Sequence, residues 1–389
     1  MHPLIDPLTA AVERAVASIE SAREGRAPGC TVDDASKLVA TLNERLDELL
    51  AALRPLRALG STSIGLLLQA AWPVWSRAMA VSALRPEAML PPLCRLGSVG
   101  VDLTGEHFQP LLASTVAAVT TALAASPSDA TPLVELATAV FVRFCDAPSM
   151  EVAFSNLLEQ ICGHVVPTLQ PSPDRHAALA GALLTLANRY MRFLVPAIVY
   201  ATSLPTLIDL ATALLASCRA PEAVEPAIEF LSTCTRQARL LDHSELLSRL
   251  REALSGGAGQ RLLRAAVHGL ADSLPPSLVP RTADWLCPML HLPSWRAAAP
   301  PHAPTLLHSW ALAVLTELPV KDGVPDAHAK QALLRALTSM ADCYAEGGAL
   351  NIGVLEQLRA DLCEFARVCR RLTSAATFDV AAYDWTADG

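Results

Sequence analysis

The stretch Pro173–Leu231, PDRHAALAGALLTLANRYMRFLVPAIVYATSLPTLIDLATALLASCRAPEAVEPAIEFL, decides the fold, because it holds three successive segments of helical length. Each has one apolar stripe and a helix-start signal. In the first, Asp174 is placed to cap a helix whose Leu179, Leu183, Leu186 and Tyr190 fall on one face. In the second, Ser203 precedes Pro205, a residue suited to a first helical turn, and Leu207, Leu210, Ala211 and Leu214 form the stripe. Pro221 opens the third, with Val224, Ala227, Ile228 and Leu231 at i, i+3, i+4 and i+7. No helix of this length buries its stripe alone, and the turns are too short for a distant partner, so each is expected to pack antiparallel on its neighbour. Repeated along the chain, that plan is an all-α fold, an α-α superhelix of the HEAT/armadillo-like helical-repeat solenoid kind.

The same grammar extends outward in both directions. Upstream, Leu8, Val12, Ala15 and Ile19 mark a first helix, stopped in the loop Gly25 to Cys30. A long second helix starts near Asp33, carries Leu38, Leu42, Leu46, Leu49 and Leu53, and ends or bends at Pro55. Ile64, Leu67, Leu68 and Ala71 form a third, with a kink expected at Trp72-Pro73. The segment Glu87 to Val101 reads as a weaker helix, since Pro91 and Pro92 lie inside it. Phe108, Leu112, Thr115 and Val119 then pair with Leu133, Leu136, Ala137, Val140 and Phe144 across the turn 126–129, a hairpin of roughly 40 residues, as in HEAT or armadillo units. Phe154, Leu157, Leu158, Ile161 and Val165 lead into the deciding stretch.

Downstream, Leu246 to Leu254 reads as a short helix ended by Gly256 and Gly257, followed by Leu263, Ala266, Val267 and Leu270. Eight prolines between Pro275 and Pro304 predict short helices, with a bend or a long loop in 275–304. Helices through Leu333 and Leu337 and through Leu355, Leu358, Leu362, Phe365 and Leu372 close the array. A single solenoid is therefore expected over 1–372, and a mobile acidic and aromatic tail over 373–389. At the amino-terminal end, Leu4, Ile5, Ala10, Ala11 and Ala17 predict an exposed apolar patch on the first helix pair.

Composition limits the function. The chain of 389 residues is 52% hydrophobic and only 17% charged, which requires a sizeable core. A net charge of −8 argues against direct nucleic-acid binding and suits a basic protein partner. Of the 30 basic residues only Lys37, Lys321 and Lys330 are lysines, a compositional bias and not a site. Ten scattered cysteines without a CxxC read as small buried hydrophobes in a reducing compartment, the cytosol or nucleus. No signal peptide and no membrane span are expected: the apolar windows Phe108–Ser128 and Phe193–Ile208 are diluted by hydroxyl residues or too short.

Catalytic, cofactor and metal constellations are not found in the sequence. Gly256-Gly257-Ala258-Gly259 lacks the Lys-Ser/Thr of a phosphate loop and reads as a helix stop. His302 and His308 flank a proline-rich loop without further ligands nearby, and Cys363 and Cys369 read as packing residues. Trp72 and Trp75 are either partner anchors or, the better reading, aromatics buried between repeats.

Several short signatures recur in a fixed order: Asp33-Asp34 opening the long helix, Ala71-Trp72-Pro73-Val74, Phe108-Gln109-Pro110-Leu111-Leu112, and Pro167-Thr168-Leu169-Gln170. They continue with Ser172-Pro173-Asp174, Phe193 to Ile198, Gly259-Gln260-Arg261-Leu262-Leu263, Leu274-Pro275-Pro276 and Cys369-Arg370-Arg371-Leu372. Their order and spacing over 30–372 resemble the carboxy-terminal part of the transportin-SR and importin-thirteen branch of the importin-β nuclear transport receptors. The resemblance implies a receptor segment that binds protein cargo and nucleoporin Phe-Gly repeats, works between nucleus and cytoplasm, uses no cofactor, and meets the GTPase Ran mainly through an amino-terminal half that this chain lacks. It implies no enzymatic activity. The Arg-rich helix with which transportin-SR reads phosphorylated Arg-Ser cargo would fall at Glu87 to Val101, where this chain keeps only Arg95, with Arg85 just before it. Those two arginines are the candidate cargo-binding residues, and cargo of that phosphorylated type is not expected. The competing reading is a cytosolic HEAT-repeat scaffold or adaptor unrelated to nuclear transport.

Overall fold

The computed structural model describes residues 5–23, 32–53, 60–240, 245–290, 305–320, 324–345 and 352–373, with 55, 58, 292 and 295 besides. The chain divides into two compact units, Met1–Thr168 and Leu169–Gly389. The first contains α1 (Ile5–Arg23), α2 (Val32–Leu53), α3 (Ser61–Val81), α4 (Pro86–Thr104), α5 (Leu112–Ala125), α6 (Thr131–Phe144) and nearly all of α7 (Glu151–Leu169). The second contains α8 (Ala177–Phe193), α9 (Val195–Val199), α10 (Leu204–Ser217), α11 (Pro221–Leu240), α12 (Glu245–Ala253), α13 (Gly256–His268), α14 (Val279–Met289), α15 (Leu306–Glu317), α16 (Ala327–Ala345) and α17 (Ile352–Cys369). No strand occurs among the described residues, and the fold is all-α.

Within the first unit, α1, α3 and α5 form one layer and α2, α4 and α6 the other, with hairpin partners packed across the layers. Helices of one layer run parallel. Arg85 meets Ser36, Asn43 meets Ala88 and Arg95 meets Asp47, so contacts advance together along α2 and α4. The second unit repeats the arrangement, with α10, α13 and α15 in one layer and α8, α11 and α14 in the other. The expectation that each helix packs on its neighbour holds for pairs such as α1–α2, α3–α4 and α10–α11 but not for α8. The partner with which α8 shares most surface is α11, two elements on, because a repeat stacks same-layer helices as well as closing hairpins. The order changes at the end: Arg359 pairs with Asp284 while Arg370 donates to the Leu274 carbonyl, so α17 runs antiparallel to α14.

The predicted stripes are the core. Leu42, Leu46, Leu49, Leu53, Leu133, Leu136, Leu183, Leu207, Leu214, Leu231 and Leu362 are all buried, each contributing about 1.5–3 kcal/mol on removal from water. Trp72 and Trp75 are buried too, stacked at 4.4 Å between ring centroids, with Phe108 edge-on to Trp72 at 5.0 Å. Both indoles of this pair donate internally, Trp72 Nε1 to Thr115 Oγ1 at 3.1 Å and Trp75 Nε1 to the Leu93 carbonyl at 2.9 Å. The packing reading of this pair holds.

Proline disturbs the helices less than expected. α4 runs unbroken through Pro91 and Pro92. Pro92 lacks the N–H that would bond the Ala88 carbonyl, and Asn43 Nδ2 from α2 donates to that carbonyl at 2.9 Å instead. Pro226 in α11 likewise strips the Glu222 carbonyl of its helical donor, and Gly181 of α8 sits directly against that oxygen. Backbone thus approaches backbone where the two helices meet, with Cα hydrogens facing a carbonyl.

Other local expectations also need correction. Asp174 is not an α8 cap; it lies in the 3-10 turn Pro173–His176, its carboxyl against Cys218. Phe108 belongs to the 3-10 turn Gly105–Leu111 ahead of α5. Gly256 takes φ +56 and α13 begins there, so the glycine cluster opens a helix as well as closing α12. Gly259 in its first turn gives Trp295 and Trp310 room to approach. α17 stops at Cys369, and Leu372, beyond Arg371 at φ 62, is exposed.

The helical run Pro86–Ala125 is apolar enough to cross a membrane by length and composition, but it is two helices broken at Gly105, and part of its apolar surface is core. Among the described α1 side chains no large apolar residue is exposed. The side chains of Leu4 and Ile5, on which the predicted patch chiefly rests, lie outside the described residues, as do His302, the stretch 297–304 and residues 374–389.

Neighbours within a layer are crossed by ion pairs. Arg77 of α3 reaches Glu13 and Glu20 of α1, and Arg95 of α4 reaches Asp47 of α2 at 3.7 Å. In the second unit the pairs are Arg192–Glu229 at 4.0 Å, Arg281–Glu225, Arg261–Asp209 at 2.7 Å and Arg264–Glu317 at 2.7 Å.

Candidate functional site

Each unit carries an open groove along one layer, between the carboxy-terminal halves of α10 and α13 in the second and between the start of α3 and the 3-10 turn Gly105–Leu111 in the first. In the second unit Thr212, Ala213 and Ala216 of α10 face Ala265 of α13 across a space of about 450 Å³. Short side chains at these four positions leave room that leucines would fill. The rim is charged: Asp209 pairs with Arg261 across the groove, and Arg264 turns outward to Glu317. His268 closes one end. Burial first and Arg264 second hold its pKa below the usual imidazole value, against a smaller opposing effect of Glu317, so the ring is neutral near pH 7.

In the first unit Thr62, Gly65, Leu66 and Gln69 of α3 face Glu106, His107, Gln109 and Pro110 across about 440 Å³. Gly65 lets the backbone at His107 come close, and Thr62 Oγ1 lies 3.0 Å from His107 Nε2. Leu66, 64% exposed, lines this groove and offers it an apolar side chain.

Arg85 and Arg95 both reach α2, but at points eleven residues apart, Ser36 and Asp47. Along a helix that separation is about 16 Å. Each guanidinium already has an internal partner. The structure therefore places them on one layer face without bringing them together. His308 is half-buried at the start of α15, where its N–H is capped by Thr305 Oγ1 at 3.2 Å. No group of three His, Cys, Asp or Glu side chains able to hold a metal occurs among the described residues. The described cysteines are all free thiols, with Cys94, Cys162, Cys218, Cys234 and Cys287 buried and Cys145, Cys363 and Cys369 half-buried.

Sequence reasoning did not single out the groove residues. Asp209 and Arg261 are 52 positions apart and meet only through same-layer stacking. Partial signals existed, since two of the signature stretches, Phe108-Gln109-Pro110 and Gly259-Gln260-Arg261, contribute groove residues.

Layers of parallel helices closed by hairpin partners define an all-α helical-repeat array. Among solved structures, the chain is similar to one titled "Importin13 cytosolic state", with a TM-score of 0.66 at 15% identity, covering 95% of this chain and 38% of that one. The likeness is one of fold, and this chain spans well under half the length of that protein. No protein-family model matches the sequence, and no curated protein matches it.

Proposed function

We propose that this chain is a segment of a nuclear import receptor that binds protein cargo on one layer and nucleoporin Phe-Gly repeats in the grooves of the other, shuttling between nucleus and cytoplasm. The observation that carries the reading is the importin-like fold extending over 95% of the chain. The grooves add chemical plausibility. An aromatic side chain buries about 150–250 Å², and a floor of Ala213, Ala216 and Ala265 offers it an apolar seat whose rim can hydrogen-bond a flanking backbone. Arg85 and Arg95 would then contribute individually to the cargo face. They do not form the convergent cluster that a phosphorylated Arg-Ser segment requires.

The test is titration of the full chain with a Phe-Gly repeat peptide and with Ran loaded with GTP. Phe-Gly binding that is lost in Leu66→Glu and Ala216→Glu, with melting temperature unchanged, supports the reading. Ran-GTP is expected to bind no tighter than micromolar. Absence of any Phe-Gly binding favours the scaffold reading and overturns this one.

A further inference from the structure

One edge of the second unit gathers positive charge where α8 and α11 end. Gln237 Nε2 donates to the Met191 carbonyl at 3.2 Å, fixing the last turn of α11 against that of α8. Arg251 Nε donates to the Ala238 carbonyl at 3.1 Å, which brings α12 to the same place. Around these two bonds stand Arg192, Arg236, Arg239 and Arg249, all exposed. Residues 186–193 and 229–253 contain six arginines against four acidic residues, Glu229, Asp242, Glu245 and Glu252, in a chain whose net charge is −8. Glu229 and Glu245 already pair with Arg192 and Arg249, at 4.0 and 3.2 Å. Arg236 and Arg239 have no ion-pair partner among the described residues.

Helix dipoles explain why arginines gather at carboxy-terminal ends. They do not explain the apolar surface beside them. Phe193 and Tyr200, 48% and 47% exposed, are the two large aromatic side chains most open to solvent among the described residues, and both belong to this edge. Arg249 stands 4.6 Å over the Tyr200 ring, so cation and aromatic face are already associated.

We infer that this edge docks a linear acidic peptide, a run of Asp and Glu carboxylates interrupted by aromatic residues. Guanidinium forks take carboxylates in paired hydrogen bonds, and Phe193 and Tyr200 supply the footing for the aromatic side chains. A long polyanion such as nucleic acid would extend beyond the patch over an acidic protein. A short peptide feels only the patch, because charges are screened beyond about 10 Å at 0.1 M salt. The inference is independent of the Phe-Gly reading, which uses the opposite layer.

The experiment uses the full chain and a fluorescein-labelled peptide of alternating Glu, Asp and Phe, read by anisotropy. Reversing Arg236→Glu and Arg239→Glu together is expected to weaken binding roughly tenfold or more and to flatten its salt dependence. Phe193→Ser should weaken it several-fold with the salt dependence kept, and Arg281→Glu, near the start of α14, should leave it unchanged. Should the double reversal lose helicity, Arg236→Gln with Arg239→Gln reads the same loss at smaller size. Unaltered affinity in the reversed chain, equal weakening by Arg281→Glu, or tighter binding of a phosphoserine peptide or single-stranded DNA of equal charge overturns the proposal.

Discussion

Gly181→Ala inverts the usual expectation for a glycine inside a helix. On propensity alone, alanine gains about 1 kcal/mol. Here a Cβ would come far inside 3.0 Å of the Glu222 carbonyl oxygen, a distance real Cβ atoms essentially never show, and would meet the Glu222 carbonyl carbon at 3.1 Å and Ala223 Cα at 3.5 Å. These are backbone atoms of α11, so no rotamer change relieves the clash. Restoring contact near 3.4 Å requires α8 and α11 to part by more than 1 Å along the most extensive helix pair of the second unit. Overpacking of this kind costs about 1–3 kcal/mol, and the gap opened elsewhere along the pair forfeits a quarter to a half of its dispersion contacts. The clash with backbone atoms puts the cost in the upper part of that range, so after the propensity gain a net loss of about 1–2 kcal/mol is expected, lowering the melting temperature of a unit this size by roughly 2–8 °C. The paired control is Gly163→Ala in α7, where nothing lies within 4 Å of the added Cβ, and there the chain should gain about 0.4–1 kcal/mol. Circular-dichroism melts of the two variants and hydrogen exchange at α8 and α11 decide the matter. An unchanged or stabilised Gly181→Ala chain would refute the backbone-contact argument.

Asn43→Ala removes the donor that serves the Ala88 carbonyl and should cost about 1–3 kcal/mol; in a Pro92→Ala background, where a helical N–H returns, urea denaturation should show a smaller loss. Burial raises the thiol pKa of Cys218 to about 11 and of Cys287 and Cys369 to about 12. Reaction of the native chain with an aromatic disulfide at pH 8 should therefore spare these thiols until denaturant is added. Because the His268 pKa is lowered on folding, the unfolded chain binds more protons between that value and about 6.5. Its contribution to stability is present above that window and is lost as pH falls through it, and His268→Asn should flatten the slope of melting temperature against pH there.

Much of the architecture is written locally. Pro205 and Pro221 lie in the first turns of α10 and α11, and the stripes through Leu207 and Leu231 are core, because helix starts and 3.6-residue periodicity depend on residues a few positions apart. What escapes a local reading is contact between elements. Pro91 and Pro92 look like a break until Asn43, 45 positions before Ala88, is seen to serve that residue's freed carbonyl. Asp174 resembles a cap, yet its neighbour is Cys218 of the α10–α11 turn. The grooves were illegible for the same reason: Ala213, Ala216 and Ala265 are ordinary helix formers in sequence, and only same-layer stacking turns their small size into space.

The ion pairs that cross each layer have a mechanical consequence. Bending a stack of parallel helices makes each one slide along the next, so a pair such as Asp209–Arg261 or Glu225–Arg281 acts as a small spring at a joint rather than as a prop for the folded state. Being part exposed, each holds with no more than about 1 kcal/mol, comparable to thermal energy, and each weakens as added salt screens it. Within a unit the elastic modulus should therefore fall with ionic strength while the buried leucine stripes, indifferent to salt, keep every helix in place. Compliance and stability are carried by different residues, and one can be tuned without the other.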